Sequence, residues 1–410
     1  MGHPLFRLEI QNYEDWSLKV HQKLVPQRVP LGGSIEVTWR CPNKCVHCYN
    51  NLPMNDKDAR CSELTYKEHC RILDEITEAG CLWLLYTGGE IFARKDFLDI
   101  YTYAKKKGLL ISLFTNGTLI TPEIADYLVQ WRPFSIEITL YGQTKETHDK
   151  ITGIPGSFKK CLNGVQLLLE RNLPLTLKTV VLTLNKHELW EMKSFVEKEL
   201  GIEFRFDAMI SPRLDCSHSP LAVRLKPHEV LELDLQDLKR VEEWKKFAKD
   251  LSGYVIPPEQ KDKLYQCGGG DVSFAIDPSG RLSICNFLPG NTWDLRKASF
   301  QKGWENFLLE VKSKTITRHT KCVDCEIVAM CGMCPANGEL ENGDAEEPVD
   351  FLCQVAHLRA YAFDIPVPSH GDCEYCEGGK DFRKLMQSVE ALHQGKNSTG
   401  SNQLLTNICT

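Results

Sequence analysis

The chain has no long apolar run. No stretch of about 18 apolar residues occurs in its 410 residues, so no membrane-crossing helix is expected. It also lacks a basic run. Its 49 Lys and Arg stand against 55 Asp and Glu, a formal net charge of −6, without the clustered cations of a nucleic-acid footprint. The opening residues, M-G-H-P-L-F-R-L-E-I, lack the apolar segment of a secretory signal. These absences argue against nucleic-acid, membrane and secreted classes and point to the cytoplasm.

Cysteine is what the chain has in excess, with 18. A secreted disulfide scaffold is usually shorter and follows a signal peptide. Reduced, metal-ligating thiols are the better reading. The first set lies in W-R-C-P-N-K-C-V-H-C-Y-N-N, residues 39–51, with Cys41, Cys45 and Cys48 spaced C-x3-C-x2-C. Cysteine thiolates hold iron–sulfur clusters, and a cubane normally takes four. Three leave one coordination position open, as a catalytic metal site requires. A structural zinc knuckle, or three unrelated buried thiols, is the plainer alternative.

Around this loop the pattern alternates. Residues 35–39 alternate apolar and polar, which reads as a strand. Thr65-x-x-Glu68 is a capping box that opens a helix ending at Gly80. Strands are expected over 82–86, 109–114, 134–140, 175–184 and 203–209, with helices between them. One of those helices starts at Thr121-Pro122, and another is expected to take Ser157 as its cap. Six strand–helix units in alternation imply parallel strands with helical crossovers. They are too few for an eightfold barrel, so an open, partial (β/α)6 TIM-like barrel is expected. In such barrels the working residues sit at the C-terminal ends of the strands, where the cluster loop lies.

The three-cysteine spacing followed by the aromatic Tyr49 resembles the signature of radical S-adenosylmethionine (radical SAM) enzymes. The resemblance implies a [4Fe–4S] cluster whose open iron binds SAM, reductive cleavage of SAM, and a 5'-deoxyadenosyl radical that abstracts substrate hydrogen. It also implies the partial barrel. Thr87-Gly88-Gly89-Glu90 then resembles the family's Gly-Gly-Glu motif, with Glu90 offering a carboxylate to the SAM amino group. Thr115-Asn116-Gly117 resembles the family's Thr-Asn-Gly corner, although Asn-Gly also suits an ordinary turn. On the fourth strand Glu137 and Thr139 share one face, from which Glu137 would bond the ribose. Lys178 would pair either with the SAM carboxylate or with Glu137. The segment 148–153 resembles a family stretch but has Thr152 where Arg often stands. Tyr49 completes the expected SAM contacts.

Prolines 212, 220 and 227 then mark irregular chain, followed by a charged amphipathic helix over 229–251. Cys216 follows the sixth strand and is a candidate hydrogen-atom donor to a substrate radical. From Cys267 the cysteines resume. Cys267 and Cys285 flank the hairpin signal Asp277-Pro278-Ser279-Gly280, and Cys322-x2-Cys325-x5-Cys331-x2-Cys334 and Cys353 follow. This set resembles the SPASM domain of radical SAM enzymes, which binds two auxiliary [4Fe–4S] clusters. By matching order, Cys267, Cys285 and Cys334 would serve the first and Cys322, Cys325, Cys331 and Cys353 the second. Two residues, not the usual three, precede Cys334. Cys373 and Cys376 are extra to the pattern. They would supply a missing ligand to the first auxiliary cluster, bind another metal, or pair as a dithiol. Cys409 in the tail is expected to be incidental.

The expected organisation is an N-terminal extension (1–33), the barrel (34–210), a linker with the charged helix (211–265), the auxiliary-cluster domain (266–380), and a C-terminal helix with a mobile tail (381–410). The resemblance implies three [4Fe–4S] clusters, SAM, and a maturase that cross-links or epimerises a ribosomally made peptide. A flavodoxin or ferredoxin would supply electrons. Only about 33 residues precede the first strand, so a separate leader-recognition protein is expected. Oxidation of a residue in a partner enzyme, as in sulfatase maturation, and cofactor biosynthesis are the alternatives within enzymes. A non-catalytic zinc or electron-transfer module is the alternative outside them.

Overall fold

β1 (Gly32–Thr38) is the strand to which both halves of the chain attach. The fold is a computed structural model that describes residues 12–251, 261–288 and 290–403. On one side β1 pairs in parallel with β2 (Trp83–Gly88), which is followed outward by β3 (Leu110–Thr115), β4 (Ser135–Thr139), β5 (Leu175–Val180) and β6 (Phe204–Asp207). These six strands are parallel throughout, as the alternation predicts.

On its other side β1 pairs in parallel with β7 (Ser273–Ile276), which turns back into β8 (Arg281–Ser283) and then β9 (Trp293–Asp294). The hairpin expected in a separate C-terminal domain is thus hydrogen-bonded into the barrel's own sheet of nine strands. Gly33 makes this pairing possible, because a Cβ there would lie 2.2 Å from the Phe274 ring of β7.

Helices α1 (Tyr13–Leu24), α2 (Tyr66–Glu78), α3 (Phe97–Lys106), α4 (Pro122–Gln130), α5 (Lys145–Thr152), α6 (Ser157–Glu170) and α7 (Leu189–Ser194) accompany the barrel. The predicted capping box is present at Thr65 and Glu68. Ser157 is not a cap. Gly156 holds that position, and the Asp149 carboxylate at the end of α5 accepts from the Gly156 and Phe158 amides at 2.6 and 2.8 Å. The fifth strand stops at Val180 rather than 184, because Asn185 folds the chain back. Its side chain accepts from the Leu182 amide and donates to the Val180 and Tyr141 carbonyls.

The strands alternate as a period of two requires. Tyr86, Leu113, Ile136 and Ile138 are fully buried among helix residues such as Ile72, Phe97 and Leu128 in one apolar cluster. Their neighbours Leu85, Phe114, Glu137, Thr139 and Lys178 face the inner wall and are half-buried. That difference is the signature of a barrel left partly open.

Beyond β6, α8 (Pro227–Gln236) and α9 (Leu238–Leu251) lead to the cysteine-rich half. There α10 (Pro335–Asn342) places Ala336 in the barrel's cluster, while α11 (Asp350–Ala362) and α12 (Phe382–Gln403) pack with α8 around a second buried cluster that includes Leu231, Cys353 and Val389. Cys409 lies outside the described residues. Among those described, no helix is long and apolar enough to cross a membrane.

Candidate active site

The cluster loop leaves β1 at Thr38 and is held from several directions. Arg40–Cys41 pair with Leu52–Pro53 as a two-residue parallel ladder that closes the loop's base. The Lys44 and Val46 amides donate to the Thr152 and Ile151 carbonyls at 2.7 and 3.0 Å. The last carbonyls of a helix have no partner within it, and here the loop supplies donors for two of them. Segment 148–153 therefore supports the loop through its backbone, and the Thr152 hydroxyl is spent on Ser157.

Cys41, Cys45 and Cys48 are gathered in this loop. Burial pushes the Cys41 thiol up to about 12 and the Cys45 thiol well up, and the nearby Cys48 thiol raises each further. The Asn43 amide and the Asn116 side-chain amide, each 3.4 Å from Cys41 Sγ, act in the other direction. Asn116, from the corner after β3, thus touches a cluster cysteine. Inside the loop the buried His47 Nδ1 has no hydrogen-bond partner among the described residues, and burial pulls this imidazole down to about 4. Buried thiols and an unpartnered imidazole nitrogen in one loop fit a metal centre, whose ligands must lose their protons on binding.

The Gly-Gly-Glu turn after β2 fits a closely approaching backbone. A Cβ at Gly88 would lie 2.2 Å from the Thr38 carbonyl oxygen, and one at Gly89 2.5 Å from that of Trp39. Gly88 also has φ +127°, a conformation side chains avoid. Glu90 is placed differently from expectation. It is fully buried, and its carboxylate accepts from the Thr115 hydroxyl at 2.7 and 2.9 Å, the Asn116 amide at 2.8 Å and the Phe92 amide at 3.2 Å. It ties the β2 and β3 turns together and offers no free carboxylate to an ammonium group.

Glu137 and Lys178 meet on the inner wall, with Lys178 Nζ 2.9 Å from Glu137 Oε2. Arg205 Nη1 lies 3.6 Å from the other carboxylate oxygen. Burial pulls the Lys178 ammonium down, and Glu137 opposes this. Of the two partners open for Lys178, the protein itself supplies Glu137. Thr139, two residues past Glu137 on the same face, is the direct register partner of Lys178.

Tyr49 meets the inner wall at β1, away from β4 and β5. Its hydroxyl donates to Glu36 Oε1 at 2.9 Å, and its ring sits 4.8 Å from that of Phe287 in the hairpin loop. Sequence reasoning missed Glu36. It is buried on β1 and also accepts from Asn50 at 2.6 Å and Trp39 at 2.9 Å. Arg213, also missed, donates to the Cys48 carbonyl and to Asn51. A lone Glu in a strand and a lone Arg in a loop carry no local signal.

The later cysteines also fall into groups. Burial raises the Cys285 thiol, and Cys334 and Cys267 are near enough to raise it further. Cys322, Cys325, Cys331 and Cys353 border one cavity of about 20 Å³. Cys373 and Cys376 are buried in the apolar cluster of Cys353 and α12, whereas Cys285 and Cys334 pack against the other. Cys216 is exposed in the segment after β6, with Sγ 4.0 Å from the Glu339 carbonyl of α10.

Residues 35–196 match the model of the radical SAM superfamily. The chain is similar to the AdoMet-dependent heme synthase of Methanosarcina barkeri, 29% identical over 334 residues that span 76% of this chain and 94% of that protein. It is similar to the PqqA peptide cyclase of Bradyrhizobium diazoefficiens, 28% identical over 264 residues, 63% of this chain and 67% of that one. Among solved structures it resembles Streptococcus suis SuiB bound to its precursor peptide SuiA, with a TM-score of 0.63 at 16% identity over 86% of this chain and 84% of that one.

Proposed function

The chain is a radical SAM enzyme with a SPASM-type cysteine-rich C-terminal region, and on that premise we propose that it modifies a ribosomally made peptide by cross-linking or epimerisation. Cys41, Cys45 and Cys48 would hold a [4Fe–4S] cluster and leave one iron for SAM. A cluster and SAM held there would supply reductive radical chemistry able to take hydrogen from a substrate.

The chain's own residues position and shield. Gly88 and Gly89 keep the turn free of side chains where a ligand amino group would approach the backbone. Glu90 fixes that turn, and Asn116 steadies Cys41. Glu137, Thr139 and Lys178 give the inner wall polar groups for a nucleotide. Tyr49 and Glu36 join the loop to the hairpin of Cys285. Cys267, Cys285 and Cys334, and separately Cys322, Cys325, Cys331 and Cys353, would hold two auxiliary clusters that carry an electron away or anchor the substrate. Cys216, exposed after β6, is our candidate for hydrogen return to a substrate radical. A flavodoxin or ferredoxin in a reducing cytoplasm, and a separate leader-binding protein, complete the reading.

The observation that carries the peptide reading is the half-open inner wall, and the peptide cyclase relative supports it. A second reading has its own support. The heme synthase relative aligns over 94% of its length, which favours a small-molecule cofactor precursor.

Anaerobic reconstitution separates them. With SAM and a reductant, a precursor peptide should raise 5'-deoxyadenosine formation and change in mass. Turnover of a heme precursor instead, with no peptide change, would favour the second reading. Replacing Cys41, Cys45 and Cys48 together by Ala should abolish 5'-deoxyadenosine while retaining roughly eight of about twelve irons. Continued SAM cleavage by that variant refutes both.

A further inference from the structure

Four buried side chains remain without a role: His357 on α11, and His370, Cys373 and Cys376 in the loop that follows it. One ligand atom from each lies within 4.8 Å of the other three. None belongs to the ten cysteines grouped above, although they adjoin the second group: His357 and His370 border its cavity, and Cys373 hydrogen-bonds the Cys353 thiol.

The two imidazoles are oriented in the same way. His357 Nδ1 is 2.8 Å from the Cys353 carbonyl oxygen, and His370 Nδ1 is 2.9 Å from that of Pro368. A carbonyl only accepts, so each Nδ1 carries the proton and each Nε2 keeps its lone pair. Metal-ligating histidines are held in this manner, by a backbone carbonyl on the far ring nitrogen. His357 Nε2 then lies 3.4 Å from Cys373 Sγ and 3.6 Å from Cys376 Sγ. Cys376 Sγ is 3.4 Å from His370 Nδ1 and 3.9 Å from its Nε2, so a small turn of this ring brings Nε2 to the metal. Bonds of about 2.0 Å to nitrogen and 2.3 Å to sulfur, set tetrahedrally, put N and S about 3.5 Å apart.

The donor count agrees. Cys322, Cys325, Cys331 and Cys353 are a full thiolate set for a cubane. Two thiols and two imidazoles are what is left over, a closed tetrahedral set that suits zinc. Cys373-x2-Cys376 has the usual spacing of a zinc-ligand pair.

We propose that His357, His370, Cys373 and Cys376 form a mononuclear structural zinc site that adjoins the second iron–sulfur group and uses none of its four cysteines. The chain from 364 to 381 has no helix or strand of its own, yet Cys373, Tyr375 and Cys376 within it are buried. A metal clip explains how such a loop stays packed. The clip fastens it to α11, the helix that carries Cys353. Zinc has no redox chemistry, so the site takes no part in electron transfer.

The test uses the holoenzyme purified anaerobically from cells grown with both iron and zinc. Elemental analysis should find about one zinc per chain beside the iron, and zinc-edge X-ray absorption should find two sulfurs near 2.3 Å and two nitrogens near 2.0 Å. In the double variant His370→Ala, Cys376→Ser, zinc should fall at least about tenfold with iron unchanged. Wild-type enzyme with less than about a tenth of a zinc, or with an all-sulfur zinc shell, overturns the proposal. So does a loss of about four irons from the variant, which would make Cys376 a cluster ligand. The wild-type spectrum decides even where the variant does not fold. Iron content and 5'-deoxyadenosine carry the peptide reading independently of zinc.

Discussion

Arg213 grips Asn51 twice, with Nη1 3.0 Å from its side-chain oxygen and Nη2 3.2 Å from its carbonyl oxygen. The same Nη1 donates to the Cys48 carbonyl at 3.0 Å. The segment after the last barrel strand thereby fixes the exit of the cluster loop. A planar guanidinium spans three acceptors, and a single ammonium does not. Arg213→Lys should therefore lower 5'-deoxyadenosine formation by about 10- to 100-fold, the usual cost of losing a group that orients metal ligands. Unfolding temperature should move little. Wild-type rates in this variant would show that the loop holds itself.

Glu36 predicts a pH dependence. Burial first, and then Asp277, raise its carboxyl from an ordinary 4.5 to about 7, against three hydrogen bonds that favour the anion. Below pH 4.5 the group is protonated folded and unfolded, and stability is unaffected. As pH rises toward 7 the unfolded chain releases this proton and the folded chain keeps it, so stability is lost, by about 3 kcal/mol in full. Glu36→Gln removes that slope. The variant should gain on the wild type in thermal unfolding as pH rises from about 4.5 to 7, and no further above that. A constant difference across that window would mean that Glu36 is ionised when folded.

The legible parts of the chain were local. The six alternating strands, the Thr65–Glu68 capping box and the C-x3-C-x2-C loop each lie within a few residues, where period and spacing are visible. What was missed depends on partners far away in sequence. Arg213 and Asn51 are 162 residues apart, and the Ser34–Asn286 hydrogen bond that links β1 to the hairpin loop spans 252. Gly33 is ordinary in sequence, and only the ring of Phe274 explains it. Glu90 was read through its motif as a ligand. Its burial turned it into a brace, because a carboxylate with no water must find its donors in the protein.

Gly89 and Gly32 make a controlled pair. A Cβ at Gly89 would sit 2.5 and 2.6 Å from the carbonyl oxygens of Trp39 and Arg40, backbone that leads directly into Cys41. At Gly32 a Cβ meets nothing within 4 Å. Gly89→Ala must displace the cluster loop, and misplacement of about 1 Å can cost about a hundredfold in rate. Gly32→Ala should cleave SAM as the wild type does. Equal activities in the two variants would detach the glycine turn from the chemistry.

The Glu137–Lys178 pair can be assigned by comparing stability with affinity. The side chains are only 16% and 27% exposed, so the cost of desolvating them offsets most of their attraction and the pair adds no more than about 1 kcal/mol to folding. Lys178 also sits over the Phe114 ring, 3.0 Å from its centroid, which fixes its position on the inner wall. Removing both charges, with Glu137→Gln and Lys178→Met, leaves no unpaired charge behind, so unfolding should shift by only a few degrees. If these groups meet the nucleotide, the double variant should bind SAM about tenfold more weakly, measured by calorimetry on the cluster-loaded enzyme. An unchanged dissociation constant would make the pair a strand-to-strand brace between β4 and β5, and the SAM contacts would then fall to Thr139 and the backbone of the glycine turn.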